Sequence, residues 1–173
     1  KVIGLNANGS LRKETSAMLS RGRAQRVLVE DLNGLKSCLD ALTSAQAVTW
    51  GVTQDETVDI CTQGDTEAQQ AGAMARTREN FRFAAAPGVM MLDHDGLPDE
   101  ELSPEQLRDG LITAVPALAD APMLWRPSAS AGCVASDGSV LSGLTRHRLY
   151  IPVIDAALIP AAGKALEALL WAM

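Results

Sequence analysis

The sequence predicts an α/β (α+β) fold in which a mixed sheet has flanking helices. Three observations in the second half of the chain support it: an apolar run of strand length over 88–95, an alternating pattern over 147–153, and apolar residues at helical spacing after each of them. Strands that alternate with helices along the chain are typical of this fold class. The order predicted for the second half is therefore β-α-β-loop-β-α.

The first half of the chain carries weaker signals. Segment 26–30, with its Val-Leu-Val centre, and segment 57–61 are predicted to be short strands. The polar, Gln-rich stretch 62–72 is predicted to be a loop. A helix is predicted between the two strands from leucines at helical spacing. These leucines are Leu35, Leu39 and Leu42.

In the second half, strand 88–95 ends in polar residues, and the turn residues Gly96 and Pro98 follow it. A helix is predicted from Ser103-Pro104-Glu105-Gln106, because this segment supplies a capping hydroxyl, a first-turn proline and a glutamine at the third helical position. We expect that helix to end at Pro116.

The rest of the second half is predicted to contain two strands and a helix. A short strand over 123–126 is followed by a loop rich in Ser, Gly and Ala over 127–143, and then by the alternating strand over 147–153. A last helix is predicted to begin at Pro160. Its buried stripe is predicted to comprise Leu166, Leu169, Leu170 and Met173.

The composition is typical of one compact soluble domain. Of 173 residues, 47% are hydrophobic, and 15 basic against 21 acidic side chains give a net charge of −6. No apolar run approaches the roughly 18 residues that span a bilayer, so no membrane association is expected. Three widely spaced cysteines predict neither a disulfide framework nor a metal clip, which favours a cytoplasmic location. The acidic balance argues against coating nucleic acid through bulk charge.

We expect a single domain with two parts, an N-terminal α/β part over 1–75 and a part over 76–173 that carries the chemistry. The chain begins with Lys1 and ends with Met173 inside an apolar helical pattern. These ends are the reason for interpreting the sequence as a fragment of a longer protein, truncated at its C-terminus.

Asp93 and Asp95 are the strongest chemical signal. Side chains two apart on a strand share a face about 6–7 Å apart, whereas His94 between them points the other way. Two such carboxylates can hold divalent cations, and two cations can clamp the attacking and leaving oxygens of a phosphoryl transfer. The alternative is a solvated turn that simply favours Asp and Gly. The apolar residues that lead directly into the pair favour a site.

The segment 126–150 is the second signal, because it combines guanidinium groups and hydroxyls with a small-residue backbone that can approach phosphate closely. For His147 an alternative stays open: it alternates in phase with Leu149, which is typical of a core histidine bonded to the backbone. The candidate phosphate-binding residues are Arg126, Ser128, Ser130, Thr145, Arg146 and His147.

The aspartate pair and the histidine strand together resemble motifs of a known protein superfamily. A strand ending in Asp-x-Asp, followed by small-x-His on another strand, resembles the first two motifs of the archaeo-eukaryotic primase superfamily, the primase-polymerases. The motifs are Leu92-Asp93-His94-Asp95 and Thr145-Arg146-His147, with His147 lying 52 positions after Asp95. From about Arg76 to Trp171 the chain looks like the primase-like N-terminal regions of replication proteins of phages, plasmids and integrated elements.

The resemblance implies a template-directed nucleotidyltransferase, a DNA primase or polymerase, that uses Mg²⁺ or Mn²⁺. Asp93 and Asp95 would hold the metal, and His147 would contact the phosphates of the incoming nucleotide. The implied partners are nucleoside triphosphates, a single-stranded DNA template and a helicase domain in the full-length chain. A cluster of three arginines is predicted to hold the nucleic-acid backbone. Its members are Arg76, Arg78 and Arg82.

The chain departs from the family pattern in one respect. The family has a third carboxylate on a strand after the helix that follows the histidine strand, and the sequence stops within that helix at Met173. Asp155 lies in a connecting turn and is a poor substitute. We therefore expect the 173-residue chain alone to polymerise weakly or not at all.

Two other functions remain open. The segment Met-Leu-Asp93-His-Asp95-Gly96 also resembles the opening of haloacid-dehalogenase-type phosphatases, in which the first aspartate is a nucleophile and the second a general acid. Those enzymes need a later lysine, and Lys164 is the only one after this motif. The second alternative is a non-catalytic nucleic-acid docking module with a primase-like shape.

Overall fold

The computed structural model describes residues 2–8, 11–14, 20–49, 51–96, 102–128, 131–144 and 146–172. Within these ranges it has an α+β architecture, which confirms the predicted fold class. The helices are α1 (Leu32–Asp40), α2 (Thr66–Gln70), α3 (Pro104–Ala114) and α4 (Ile159–Trp171). The strands are β1 (Val2–Leu5), β2 (Leu11–Glu14), β3 (Arg21–Gln25), β4 (Thr57–Cys61), β5 (Met74–Ala75), β6 (Gly88–Asp95), β7 (Leu124–Pro127), β8 (Cys133–Val134), β9 (Val140–Ser142) and β10 (Arg146–Val153).

The N-terminal part contains a small mixed sheet in the order β3-β4-β5. Strand β4 pairs with β3 in antiparallel fashion and with β5 in parallel fashion, and it confirms the strand predicted over 57–61. Cys61, at the end of β4, is fully buried. Strands β1 and β2 form a separate antiparallel pair.

The second part is built around an antiparallel sheet in the order β6-β10-β7, with β10 in the centre. The observed β6 matches the predicted strand over 88–95, and β10 begins one residue before the predicted strand. The predicted order β-α-β-loop-β-α is confirmed, although the loop itself contains the short pair β8–β9.

The two faces of this sheet differ in chemistry. One face, here called the helix face, carries alternate apolar residues and histidines, and a Cβ atom built on Gly163 of α4 would lie 4.0 Å from the Cε of Met90 on this face. Helix α3 contacts α4 and buries Leu111. The other face, here called the charged face, carries Asp93 and Asp95 at the carboxyl end of β6.

The predicted start of α3 is confirmed in detail. The backbone N–H of Gln106 donates to the Ser103 hydroxyl at 3.2 Å, and the Ser103 N–H donates to the Gln106 side chain at 2.8 Å. This reciprocal pair is a capping box. The helix ends at Ala114, before Pro116, as predicted.

The strand predicted over 26–30 is wrong. Strand β3 instead covers Arg21–Gln25, and the Val27 and Leu28 side chains are 61% and 92% exposed. The reason is the length of the partner strand: β4 begins at Thr57, and the last backbone bond of this ladder runs from the N–H of Arg26 to the carbonyl of Glu56. Residues of high strand propensity, such as Val27 and Val29, cannot extend a strand beyond the end of its partner.

Three further predictions need correction. The stretch 62–72 contains the short helix α2, because the Asp65 carboxylate caps it by accepting from the Ala68 N–H. The loop over 127–143 contains β8 and β9. Helix α4 has no buried residue in its described part, so its predicted buried stripe is wrong, while Met173 lies outside the described residues. No helix in the described ranges has the length and apolar character to cross a membrane.

Candidate metal and phosphate site

Asp93 and Asp95 project from the charged face, as the strand alternation predicts. Their side chains are 37% and 73% exposed. His94, between them, lies on the helix face, where its ring stacks on that of His147 with centroids 6.0 Å apart. The two carboxylates are therefore neighbours that a ligand can reach from solvent.

Each aspartate lies directly opposite an arginine of β10. The register pairs Asp93 with Arg148 and Asp95 with Arg146. The Nε and Nη2 atoms of Arg148 lie 3.3 and 3.4 Å from the two carboxylate oxygens of Asp93. The Nε of Arg146 lies 3.6 Å from an oxygen of Asp95. These distances are long for charge-assisted hydrogen bonds, and partly exposed ion pairs contribute little stability, so other ligands can replace them.

Arg126 extends this row of charges onto β7, where the register places it opposite Arg148. Its Nη1 lies 2.7 Å from Oδ1 of Asp40, the last residue of α1, although no N–H of that nitrogen is aligned for a hydrogen bond. Lys36 also donates to Asp40 at 2.6 Å. The hydrogen bond from Lys36, followed by the charge of Arg126, holds the pKa of Asp40 below its ordinary value.

The charged face therefore combines two aspartates with three arginines at one end of the sheet. Because Asp40 pairs with Arg126, each of these three arginines has one carboxylate partner. Carboxylate oxygens suit divalent cations and guanidinium groups suit phosphate, so the arrangement contains both halves of a metal-phosphate site.

His147 is not brought together with the aspartates. It is fully buried on the helix face, where Trp125 Nε1 donates to its Nδ1 at 2.9 Å. Its Nε2 therefore carries the proton and donates to the Leu102 carbonyl oxygen at 2.6 Å. Both ring nitrogens are occupied, which leaves none for a phosphate. This is the arrangement of the alternative prediction, a core histidine bonded to the backbone.

The other predicted site residues are only partly assembled. Ser128 is buried, and its N–H donates to the Arg146 carbonyl, which places it beside the charged face. Ser130 and Thr145 lie outside the described residues. Among the described residues, no ion pair joins Asp93 or Asp95 to the arginine cluster before β6. That cluster is Arg76, Arg78 and Arg82, all with exposed side chains.

Arg148 is the residue that sequence reasoning did not assign to the site. Alternation along β10 shows that Arg146 and Arg148 share the face opposite to His147. That signal was present in the sequence, but it does not reveal which face of β10 meets Asp93. The answer depends on the register between β6 and β10, which are far apart in the chain.

The described part of the chain places no third metal-ligating side chain beside the two aspartates. In the ranges that the structure describes, no three His, Cys, Asp or Glu side chains are grouped to hold a metal ion. Asp155 caps a 3₁₀ turn by accepting from the Ala157 N–H at 2.9 Å, which agrees with its being a poor substitute. Comparisons with models of known protein families, with curated proteins and with solved structures find no match to the chain.

Proposed function

We propose that the chain is the metal-dependent catalytic part of a template-directed nucleotidyltransferase of the primase-polymerase type. The observation that carries this proposal is the pair Asp93 and Asp95 on one exposed face, each opposite an arginine. A solvated turn would not need two guanidinium groups in register with its carboxylates. A site for a metal-bound polyphosphate needs both kinds of group.

In this proposal Asp93 and Asp95 hold Mg²⁺ or Mn²⁺, and a bound cation would offset the negative charge that builds up on the transferring phosphoryl group. Arg148 and Arg146 leave their long ion pairs and bind phosphate oxygens of the nucleoside triphosphate. Replacing the Arg148–Asp93 ion pair by a contact with phosphate costs little free energy, because both side chains are about a third exposed. Arg126 can bind a phosphate oxygen in the same way only after its ion pair with Asp40 breaks.

His147 has a positioning role here rather than the phosphate contact that the family resemblance implies. Its two hydrogen bonds connect β10 to Trp125 on β7 and to Leu102 at the start of α3. The histidine thereby fixes the central strand from which both phosphate-binding arginines project. This departure from the family pattern makes the arginines, not the imidazole, the predicted nucleotide ligands.

The phosphatase alternative is disfavoured by the position of its required lysine. Lys164 lies on α4, whose Gly163 lies beside Met90 on the helix face, whereas Asp93 projects from the charged face. An aspartyl-phosphate analogue trapped with beryllium fluoride would nevertheless support the phosphatase and contradict our proposal. The docking-module alternative predicts no metal-dependent nucleotide binding.

Isothermal titration of a nucleoside triphosphate in the presence of Mn²⁺ tests the proposal. We expect Arg148→Ala to weaken binding about tenfold, which corresponds to roughly 1.4 kcal/mol for one lost charge-assisted contact. Arg12→Ala is the matched control, because Arg12 is also a strand arginine paired with a carboxylate, that of Glu14 at 3.4 Å, but is not part of the charged face. Equal affinities of the Arg148 variant and the unmodified chain would refute the assignment.

A further inference from the structure

A cavity lies in the N-terminal part, away from the charged face. It has a volume of about 660 Å³ and is enclosed by β3, helix α1, the segment that follows α1, and Phe81. This volume is within the range of about 300–1,000 Å³ that is typical of small-molecule sites. The proposed nucleotidyl transfer uses no residue of this cavity.

The charged side chains that line the cavity are all positive. Three arginines line the cavity, and no aspartate or glutamate does. Arg23 pairs with Asp59, which is not part of the lining, and Arg26 donates to the backbone carbonyls of Thr53 and Gln54. The positive charges of Arg26 and Arg76 therefore face the cavity without a neutralising carboxylate, in a chain whose net charge is −6.

Of the three arginines that line the cavity, Arg76 has the guanidinium group that is most available to a ligand. Its backbone N–H donates to the Cys61 carbonyl, which fixes the backbone position. In the described ranges its side chain forms no hydrogen bond or ion pair, whereas the other cavity arginines are engaged. An exposed guanidinium at the wall of a cavity is suited to bind a phosphate or carboxylate group.

The remaining walls are largely apolar. Leu35 and Leu39 of α1 line one side, and Ile60 and Phe81 line the other. At the rim, the Val48 side chain is 63% exposed. Apolar surface left open beside an uncompensated cation favours a ligand that combines a hydrophobic body with an anionic group.

We infer that this cavity is a second ligand site, which binds a nucleotide with its base against Phe81 and its phosphate on Arg76. The polar side chains of Gln25 and Thr49 in the lining favour a base, whose edges need donors and acceptors, over an alkyl chain. A free nucleotide and a nucleotide within a single strand offer the same chemistry. The inference is independent of the proposed metal site.

Helix α1 connects this cavity to the charged face. Leu39 lines the cavity, and the next residue, Asp40, pairs with Arg126 on the charged face. A nucleotide in the cavity would thus lie across the last turn of α1 from Asp93 and its arginine partners.

Equilibrium dialysis of labelled AMP against the 173-residue chain in EDTA tests the inference, because EDTA removes any contribution from a metal-dependent triphosphate site. We expect Arg76→Ala to weaken AMP binding about tenfold, as for one lost charge-assisted phosphate contact. Arg108→Ala is the matched control: Arg108 is also exposed, and it lies on α3, outside the cavity lining. We expect it to change the affinity less than about twofold.

A second variant leaves the arginines intact. Ala45→Trp places an indole in the lining and should abolish AMP binding while an unchanged circular dichroism spectrum shows that the chain is folded. Competition by the octanucleotide dT8 identifies a strand as the source of the nucleotide, and its failure to compete identifies a free nucleotide. Absence of AMP binding, equal losses in the two arginine variants, or displacement of AMP by decanoate would each overturn the inference.

Discussion

At the scale of single residues, His147 shows how one position can satisfy two patterns at once. It fits the small-x-His motif, and it also continues the apolar phase of β10. The structure places it in the core, bonded through both ring nitrogens to Trp125 and Leu102. A buried ring nitrogen without a partner costs free energy, so these two bonds matter for stability.

Trp125→Phe tests this role. The substitution keeps an aromatic ring but removes the donor to Nδ1 of His147, and leaving a buried acceptor unpaired costs about 1–3 kcal/mol. We expect a loss of that size in the free energy of unfolding, measured by urea titration. Trp171→Phe is the control, because Trp171 is 85% exposed and should change stability by less than about 0.5 kcal/mol. Equal stability of the Trp125 variant and the unmodified chain would contradict the assigned hydrogen bond.

The residue-level predictions succeeded where they depended on strand periodicity alone. That Asp93 and Asp95 share a face opposite to His94 follows from alternation within β6. Which residue of β10 faces Asp93 could not be predicted, because a register shift of one residue would exchange Arg148 for His147. Of the charged residues that meet on this face, Asp93, Asp95, Arg126 and Arg146 were predicted to lie together, whereas Arg148 was not.

At the scale of elements, α2 shows how a short helix can escape sequence analysis. Helix α2 is only five residues long and polar, so its sequence shows no apolar periodicity from which a helix could be predicted. Its N-cap Asp65 also receives two hydrogen bonds from Arg21 of β3, at 2.6 and 2.9 Å. The hydrogen bonds from Arg21, together with that from the Ala68 N–H, hold the pKa of Asp65 below its ordinary value. The helix thus depends on a contact 44 residues away, which local patterns cannot reveal.

The lowered pKa of Asp65 predicts a pH dependence. Its stabilising contribution is present above the unfolded-state pKa of about 3.9 and is lost as the pH falls through the lower folded-state pKa. Arg21→Ala should therefore reduce the free energy of unfolding at neutral pH, with the difference shrinking in acid. Arg76→Ala, which removes an arginine without a described carboxylate partner, should show no such pH dependence. A deficit of Arg21→Ala that stays constant down to strongly acidic pH would contradict this account.

Strong local chemistry made other elements predictable. Ser103 and Gln106 specify the start of α3 through their side chains, and the structure reproduces that capping box. Helix α4 began close to the predicted residue, but Leu169 and Leu170 remain 46% and 43% exposed. Periodicity identifies an apolar face of a helix, but it does not show what covers that face.

At the scale of the whole molecule, close packing connects the start of β6 to the turn after β10. A Cβ atom built on Gly88 would lie 2.8 Å from the Cβ of Ala156, and the Ala156 N–H donates to the Ala86 carbonyl at 2.8 Å. Glycine is needed here for close approach, not for an unusual backbone angle. This contact fixes one end of the sheet whose other end carries Asp93 and Asp95.

Gly88→Ala should therefore destabilise the chain by about 1–3 kcal/mol, the usual cost of overpacking. Adding Ala156→Gly removes the opposing methyl group, so the double variant should be more stable than Gly88→Ala alone. Gly110→Ala is the control, since nothing lies within 4 Å of a Cβ built there and α3 gains helix propensity. Thermal unfolding measures all three. If the double variant is no more stable than Gly88→Ala alone, the steric explanation is contradicted.

The net charge of −6 does not represent the local electrostatics of the molecule. Arginines gather on the charged face and around the cavity of the N-terminal part, while many acidic side chains are exposed elsewhere. Hydrophobic periodicity correctly predicted the α+β fold class but could not predict this separation, which depends on the positions that folding brings together.

Titration of Mn²⁺ followed by electron paramagnetic resonance measures whether Asp93 and Asp95 form a metal site, without any nucleotide. We expect the unmodified chain to bind Mn²⁺ and Asp93→Asn to lose most of that affinity. Asp59→Asn removes a strand aspartate that also faces an arginine and is more exposed than Asp93, at 63% against 37%, and it should bind Mn²⁺ like the unmodified chain. Equal Mn²⁺ binding by all three chains, or none by the unmodified chain, would contradict the assignment of Asp93 and Asp95 as a metal site.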